Sequence, residues 1–290
     1  MPVRLGVLDV GSNTIHLQVM DAHLGARPEP ATSFKVELRL TEYLDAAGSI
    51  TPQGIDLLHQ AVGDSVAHAN ENQTDEILAF ATSAIREATN GAEVIKEISE
   101  RHNIELQILT GTEEAAMTFL AARRWLGWSA GDLLVLDIGG GSLEIARGTD
   151  ENPTFKTSLQ LGAGRLTRKF LKGDPFTAKS LRALEEYLQD AIAPLSQSLS
   201  TYEKDVATGT SKTFRTLAKV ATTFYPKFGP HLTLSALEEM VPKLQSLDIE
   251  GRKAMQSISA ERAPQIVAGA MVAKELMKTL NLREIQICPW

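Results

Sequence analysis

Leu8-Asp9-Val10-Gly11 can be aligned with Leu136-Asp137-Ile138-Gly139, and in both places small residues follow: Ser12-Asn13-Thr14 after the first, Gly140-Gly141-Ser142 after the second. Asp137 ends the strand-like run Leu133–Asp137 and Asp9 is the last residue but one of Val3–Val10, and each turn leads into another strand-like run, Thr14–Met20 or Leu143–Arg147. Working outward, a third strand follows each hairpin, Ser33–Leu40 or Pro153–Leu159. After the first set come a helix starting at Thr51-Pro52, a strand at Glu76–Ala81, a helix at Ala84–Glu100, a strand at Ile104–Leu109 and a helix from about Thr112. Thr51 suits a helix cap, Pro52 suits the first turn, and Ile55, Leu58, Val62 and Val66 make an apolar stripe. After the second set come helices at Ala163–Lys172 and Thr177–Leu199, a strand at Asp205–Ala207 and a helix at Thr213–Phe224. Two further helices, Ser235–Gln245 and Ala263–Leu280, and a strand at Glu284–Cys288 complete it. The order βββ-α-β-α-β therefore occurs twice, and such a repeat decides the fold. The expectation is α/β: two domains, 1–122 and 123–290, each a mixed sheet with flanking helices, the second with extra helices.

The bulk numbers narrow the function classes. The chain has 290 residues, 43% apolar and 22% charged, ordinary for two globular domains. Net charge is −7, which argues against broad nucleic-acid binding but leaves room for a cationic site that takes a small anion. Cys288 is the only cysteine, so no internal disulfide forms and a reducing compartment is expected. The N-terminus lacks the pattern of a signal peptide, and no apolar run reaches the ~20 residues that span a bilayer, so the expected location is cytoplasmic. The six histidines show no i, i+4 pair on which a zinc site could be built.

The two turns carry the chemistry. In Gly11-Ser12-Asn13-Thr14, small residues between strands let backbone N–H groups point outward toward an anion, although a plain hairpin would use the same residues. In the second turn, Gly139, Gly140 and Gly141 lie between Asp137 and Glu144. Three successive glycines weaken a sheet, and close backbone approach to a ligand is the natural reason to keep them. Asp137 and Glu144 are placed to face one hairpin mouth, where paired carboxylates hold Mg²⁺ beside a phosphate.

Further segments resemble one family. Asp9–His16, Ala81-Thr82-Ser83-Ala84-Ile85-Arg86-Glu87-Ala88, Gly111-Thr112-Glu113-Glu114-Ala115, Asp137–Glu144, Leu161–Thr167, Gly209-Thr210-Ser211-Lys212-Thr213 and Cys288-Pro289-Trp290 occur in the order found in the exopolyphosphatase/guanosine pentaphosphate phosphatase (Ppx/GppA) family. That family lies within the actin-like (ribonuclease H-like) phosphotransferase superfamily. The resemblance implies two actin-like domains with the active site in the cleft between them. It implies an exopolyphosphatase that releases terminal orthophosphate by metal-assisted water attack, with guanosine pentaphosphate (pppGpp) 5′-phosphohydrolase as the alternative. An actin-like kinase and a non-catalytic phosphate sensor are more distant alternatives. By resemblance Glu114 is the general base, while Asp137 and Glu144 hold the metal, Mg²⁺ or alternatively Mn²⁺, and position the water; Asp9 is a further metal candidate. The phosphate cradle comprises Gly11, Ser12, Asn13, Thr14, Thr82, Ser83, Arg86, Gly139, Gly140, Gly141, Ser142, Gly209, Thr210 and Ser211. Expected partners are inorganic polyphosphate or pppGpp, with no nucleic acid and no membrane; a homodimer stays open.

Glu113 and Glu114 would also suit a solvated helix N-terminus, where acidic side chains are favoured. Arg165, Arg168, Lys169 and Lys172 are spaced i, i+3, i+4, i+7 and would share one helix face. That face is either a basic mouth for a polyanion, with Arg165 its phosphate contact, or a solvated surface. The chain departs from the family at Arg39-Leu40-Thr41-Glu42-Tyr43-Leu44, which lacks the glycines expected there. It also stops at Trp290, before the family's final helix.

Overall fold

Strands β1 (Val3–Val10) and β2 (Thr14–Ala22) pair antiparallel, with Asp9 opposite His16 and Val10 opposite Ile15. Side chains alternate between the faces of a strand. Leu8 and Val10 therefore share a buried face with Leu17 and Ile15, whereas Asp9 and His16 occupy the other face. The computed structural model describes residues 3–23, 30–199 and 205–289. By its contacts the chain forms two compact units, Met1–Thr110 and Gly111–Trp290.

The first unit continues with β3 (Thr32–Glu37), α1 (Pro52–Glu71), β4 (Glu76–Ala81), α2 (Ser83–Arg86), α3 (Gly91–His102) and β5 (Leu106–Ile108). Its sheet runs β3-β2-β1-β4-β5, antiparallel through the hairpins and parallel from β1 to β5. Thr51 caps α1 by accepting the Gly54 amide, with Pro52 in the first turn as expected. The single helix expected at Ala84–Glu100 is broken in two. Asn90 exchanges two hydrogen bonds with the backbone of Ile50, at 2.8 and 2.9 Å. Gly91 also lies so close to the Ile85 carbonyl that a Cβ there would collide with it. His59 on α1, distant in sequence from α3, meets His102 at 3.2 Å and Glu97 at 3.1 Å and ties the two helices together.

The second unit begins with α4 (Gly111–Leu126), then β6 (Leu133–Ile138), β7 (Leu143–Gly148), β8 (Phe155–Leu159), α5 (Ala163–Phe170), α6 (Ala178–Leu199) and β9 (Val206–Gly209). It ends with α7 (Lys212–Phe224), β10 (Leu232–Thr233), α8 (Leu234–Ser246), α9 (Ile249–Ala254), α10 (Ile266–Thr279) and β11 (Glu284–Ile287). The sheet order is β10-β11-β9-β6-β7-β8. With β10 set aside, it repeats the first sheet strand for strand. Leu134, Leu136 and Ile138 enter the main core with α6, α7 and α10, while Leu133 and Val135 face Ala115, Phe119 and Ala122 of α4. Because α4 buries its apolar side on this second sheet, the division falls at Thr110/Gly111 and not at 122/123. Trp290 of the Cys288-Pro289-Trp290 segment lies outside the described residues.

Candidate active site

Three strands and one helix converge on the second turn. Asp137 lies opposite Glu144 across β6 and β7, and Glu144 lies opposite Ser158 across β7 and β8. Directly opposed residues in antiparallel strands project to the same face. By alternation that face is the one carrying Leu133 and Val135, which α4 covers. Glu114, in the first turn of α4, is half-buried one position before buried Ala115, whereas Glu113 is exposed. The helix period thus separates the two glutamates and turns Glu114 toward the strand carboxylates.

These groups act on one another. Burial, then Glu114, then Asp137 push the Glu144 carboxyl up to about 8, against the opposing hydroxyls of Ser142 and Ser158. Ser158 donates to Glu144 Oε1 at 2.7 Å. Burial also raises Asp137, opposed by the Thr210 hydroxyl, which donates at 2.6 Å, and by Arg215 and Arg262. Thr210, Arg215 and Arg262 come from segments distant in sequence. Neither arginine was singled out beforehand, because only the folded chain brings them to Asp137.

The glycine turn is held from one side. The Ala163 and Arg165 amides donate to the carbonyls of Gly139 and Gly140, and the Gly162 amide and Arg165 Nε donate to that of Gly141. Gly162 packs against the turn so tightly that an added Cβ would stand 2.3 Å from the Gly141 carbonyl carbon. With its carbonyls occupied, the turn leaves the amides of Gly140 and Gly141 without an acceptor among the described residues. Such paired outward amides form an anion-binding concavity.

The remaining expected residues fall into place unevenly. In the first unit, Ser12 and Ser83 are buried and share a 2.8 Å hydrogen bond, and the Thr82 amide donates to Val10. The carbonyls of Ser12 and Asn13 accept the amides of Leu38, Arg39 and Leu40, much as those of the second turn are occupied. Arg86 anchors on the Leu109 carbonyl at 2.7 Å. Gly11 and Thr14 close the first turn through the Gly11 amide and Thr14 carbonyl, while Asp9 is exposed. In the second unit Ser211 caps α7, and Gly209 is small because Phe214 packs against it. The basic row expected on α5 does not form as one face. Arg165 turns to Gly141, Lys169 lies 4.4 Å over the Tyr187 ring, and Lys172 falls beyond the helix end.

A family model, the Ppx/GppA phosphatase family, matches residues 19–290. The chain belongs to the Ppx/GppA phosphatase family. It is 44% identical to Exopolyphosphatase 1 of Mycobacterium tuberculosis, over 99% of this chain and 85% of that relative. It is 43% identical to Exopolyphosphatase 1 of Mycobacterium leprae, over 99% and 86%. The structure of an exopolyphosphatase from Cytophaga hutchinsonii superposes with a TM-score of 0.86 at 24% identity, covering 98% of this chain and 93% of that one. The Ppx/GppA family member of Aquifex aeolicus superposes with a TM-score of 0.82 at 22% identity, over 100% and 94%. The fold is thus the Ppx/GppA one, actin-like as expected, with two mixed sheets and flanking helices. Among the described residues no helix is long and apolar enough to cross a membrane.

A metal fits this Ppx/GppA site on its donor chemistry. Two carboxylates face each other, and no cationic side chain is among the groups acting on Glu144. Among the described residues no group of three or more His, Cys, Asp or Glu is arranged to hold a metal by itself. Two carboxylates completed by substrate phosphate and water are how Mg²⁺ is ordinarily bound.

Proposed function

We infer that the chain is a cytoplasmic exopolyphosphatase that releases terminal orthophosphate from inorganic polyphosphate. The observation that carries this reading is the gathering of Glu114, Asp137 and Glu144 on one sheet face, beside a glycine turn with outward amides. The family membership and the Exopolyphosphatase 1 relatives support it.

Phosphoanhydride hydrolysis needs in-line water, charge neutralisation and a base, with little covalent help. Glu114 holds the attacking water and accepts its proton as the water oxygen bonds to the terminal phosphorus. The bridging P–O bond breaks, and its electrons leave with the shortened chain. The Gly140 and Gly141 amides receive the phosphate oxygens. Thr210 and Ser158 fix the carboxylates of Asp137 and Glu144, which would hold Mg²⁺. That ion supplies neutralisation of the developing negative charge.

The test is release of orthophosphate from polyphosphate with Mg²⁺ present, with pppGpp as a competing substrate. The expected result is efficient polyphosphate cleavage. Conversion of pppGpp with polyphosphate left intact would overturn the reading in favour of the nucleotide phosphohydrolase.

A further inference from the structure

Two of the six histidines, from different helices, meet in the first unit. His59 of α1 is buried, and its Nδ1 stands 3.2 Å from Nε2 of His102, the last residue of α3. The chain has no histidine pair at i, i+4, so only the packing of α1 on α3 creates this one. The rings are tilted by 41° with centroids 5.4 Å apart, and they approach through their nitrogens. The other His59 nitrogen, Nε2, lies 3.1 Å from Glu97 Oε1. That carboxylate holds a proton on Nε2 and leaves the Nδ1 lone pair directed at His102. Gly63, one turn beyond His59 on α1, makes room for the partner ring, since a Cβ there would stand 3.1 Å from His102 Cε1.

A histidine that ligates a metal ordinarily turns one ring nitrogen to the ion and donates the other N–H to a carboxylate or carbonyl. Two imidazole nitrogens bound to one tetrahedral Zn²⁺ at about 2.0–2.1 Å stand roughly 3.3–3.4 Å apart, close to the separation of His59 and His102. We propose that His59 and His102 form a binding site for a nitrogen-preferring divalent cation, Zn²⁺ above all, which clips α1 to α3. Among the described residues no third His, Cys, Asp or Glu joins them, so water fills the remaining positions. Half-buried His102 gives the ion its way in. Without metal, the His102 Nε2 proton spans the gap to His59 Nδ1. When the ion binds, His102 stays neutral by carrying that proton on Nδ1 instead. Imidazole suits Zn²⁺ whereas Mg²⁺ prefers oxygen, so this site does not compete for the ion assigned to Asp137 and Glu144.

The test titrates Zn²⁺ into the full chain by calorimetry at saturating Mg²⁺, which keeps the carboxylate pair occupied. The wild type should bind Zn²⁺ and melt at a higher temperature in its presence. His102→Gln should weaken that binding by about tenfold or more and remove the melting shift, whereas His231→Gln, in the second unit, should change neither. Glu97→Ala, which frees the His59 ring, should weaken it by about 10–100-fold. Cu²⁺ supplied in place of Zn²⁺ should show, by electron paramagnetic resonance, coupling to two imidazole nitrogens that His102→Gln loses. Melts in chelator verify that each variant folds. His59 is buried, so the half-buried His102 at the helix end carries the test and His59→Gln only repeats it. A wild type that binds no Zn²⁺ would overturn the site. So would Zn²⁺ affinity and a nitrogen signature that survive His102→Gln, since the pair would then be a hydrogen-bonded contact between helices and nothing more.

Discussion

The two glycine turns are built alike and equipped differently. In each, the amide of the first glycine closes on a carbonyl three residues ahead, Gly11 on Thr14 and Gly139 on Ser142. In each, the following carbonyls are occupied by a passing segment. Opposite the strand aspartate, however, the first turn has His16 where the second has Glu144. Burial and Lys35 lower the His16 pKa and favour its neutral form, while burial and neighbouring carboxylates raise that of Glu144. The second sheet also carries α4, which presents Glu114 to the same face. The duplicated fold therefore repeats the turn in both units, whereas the interacting carboxylates Glu114, Asp137 and Glu144 lie in the second.

The largest expected effect separates the turns by their carboxylates. EDTA should abolish orthophosphate release. Asp137→Ala and Glu144→Ala should each raise the Mg²⁺ concentration for half activity by about 10–100-fold or more, while Asp9→Asn in the first turn shifts it far less. A Mg²⁺ titration checks this; an equal shift for Asp9→Asn would erase the division of labour.

Next comes packing. Gly162→Ala should destabilise the second unit by about 1–3 kcal/mol, because backbone rather than a flexible side chain stands in the way of its Cβ. Gly11→Ala meets its nearest obstacle only at 3.0 Å and should cost less. Chemical denaturation of both variants tests the order.

An electrostatic effect, spread over several pH units, concerns stability in chelator. The folded protein holds the Glu144 proton up to about 8, whereas the unfolded chain releases it near 4.5. Between those values the folded state binds more protons, so stability should fall as pH rises from 5 to 8, by at most about 1.4 kcal/mol per pH unit for this group. Glu144→Gln should flatten that slope and be the more stable protein at pH 8. Thermal melts at several pH values would contradict this if the slope survived the substitution.

Much of this was legible before folding. The Leu8–Gly11 and Leu136–Gly139 match yields both sheets, and β1 and β4 carry the expected bounds because their ends coincide with turn residues. The α2/α3 break escaped notice because it depends on Asn90 bonding to Ile50, a contact between distant segments. Helix α9 was missed: six residues are too few to show a period. Glu114 was distinguishable from Glu113 only by resemblance, until burial of Ala115 and Phe119 fixed which side of α4 faces the sheet. Arg215 and Arg262 lacked any local signal, since spatial proximity to Asp137 is what makes them matter.

The most direct test is orthophosphate release from polyphosphate by Glu114→Gln and Glu113→Gln, each at saturating Mg²⁺. Glutamine keeps the shape of glutamate but accepts no proton. Glu114→Gln should lose roughly 10²–10⁴-fold in turnover with an unchanged fold, while Glu113→Gln stays within about threefold of the wild type. Near-normal turnover by Glu114→Gln would contradict the assignment of base chemistry to the second unit's carboxylate face.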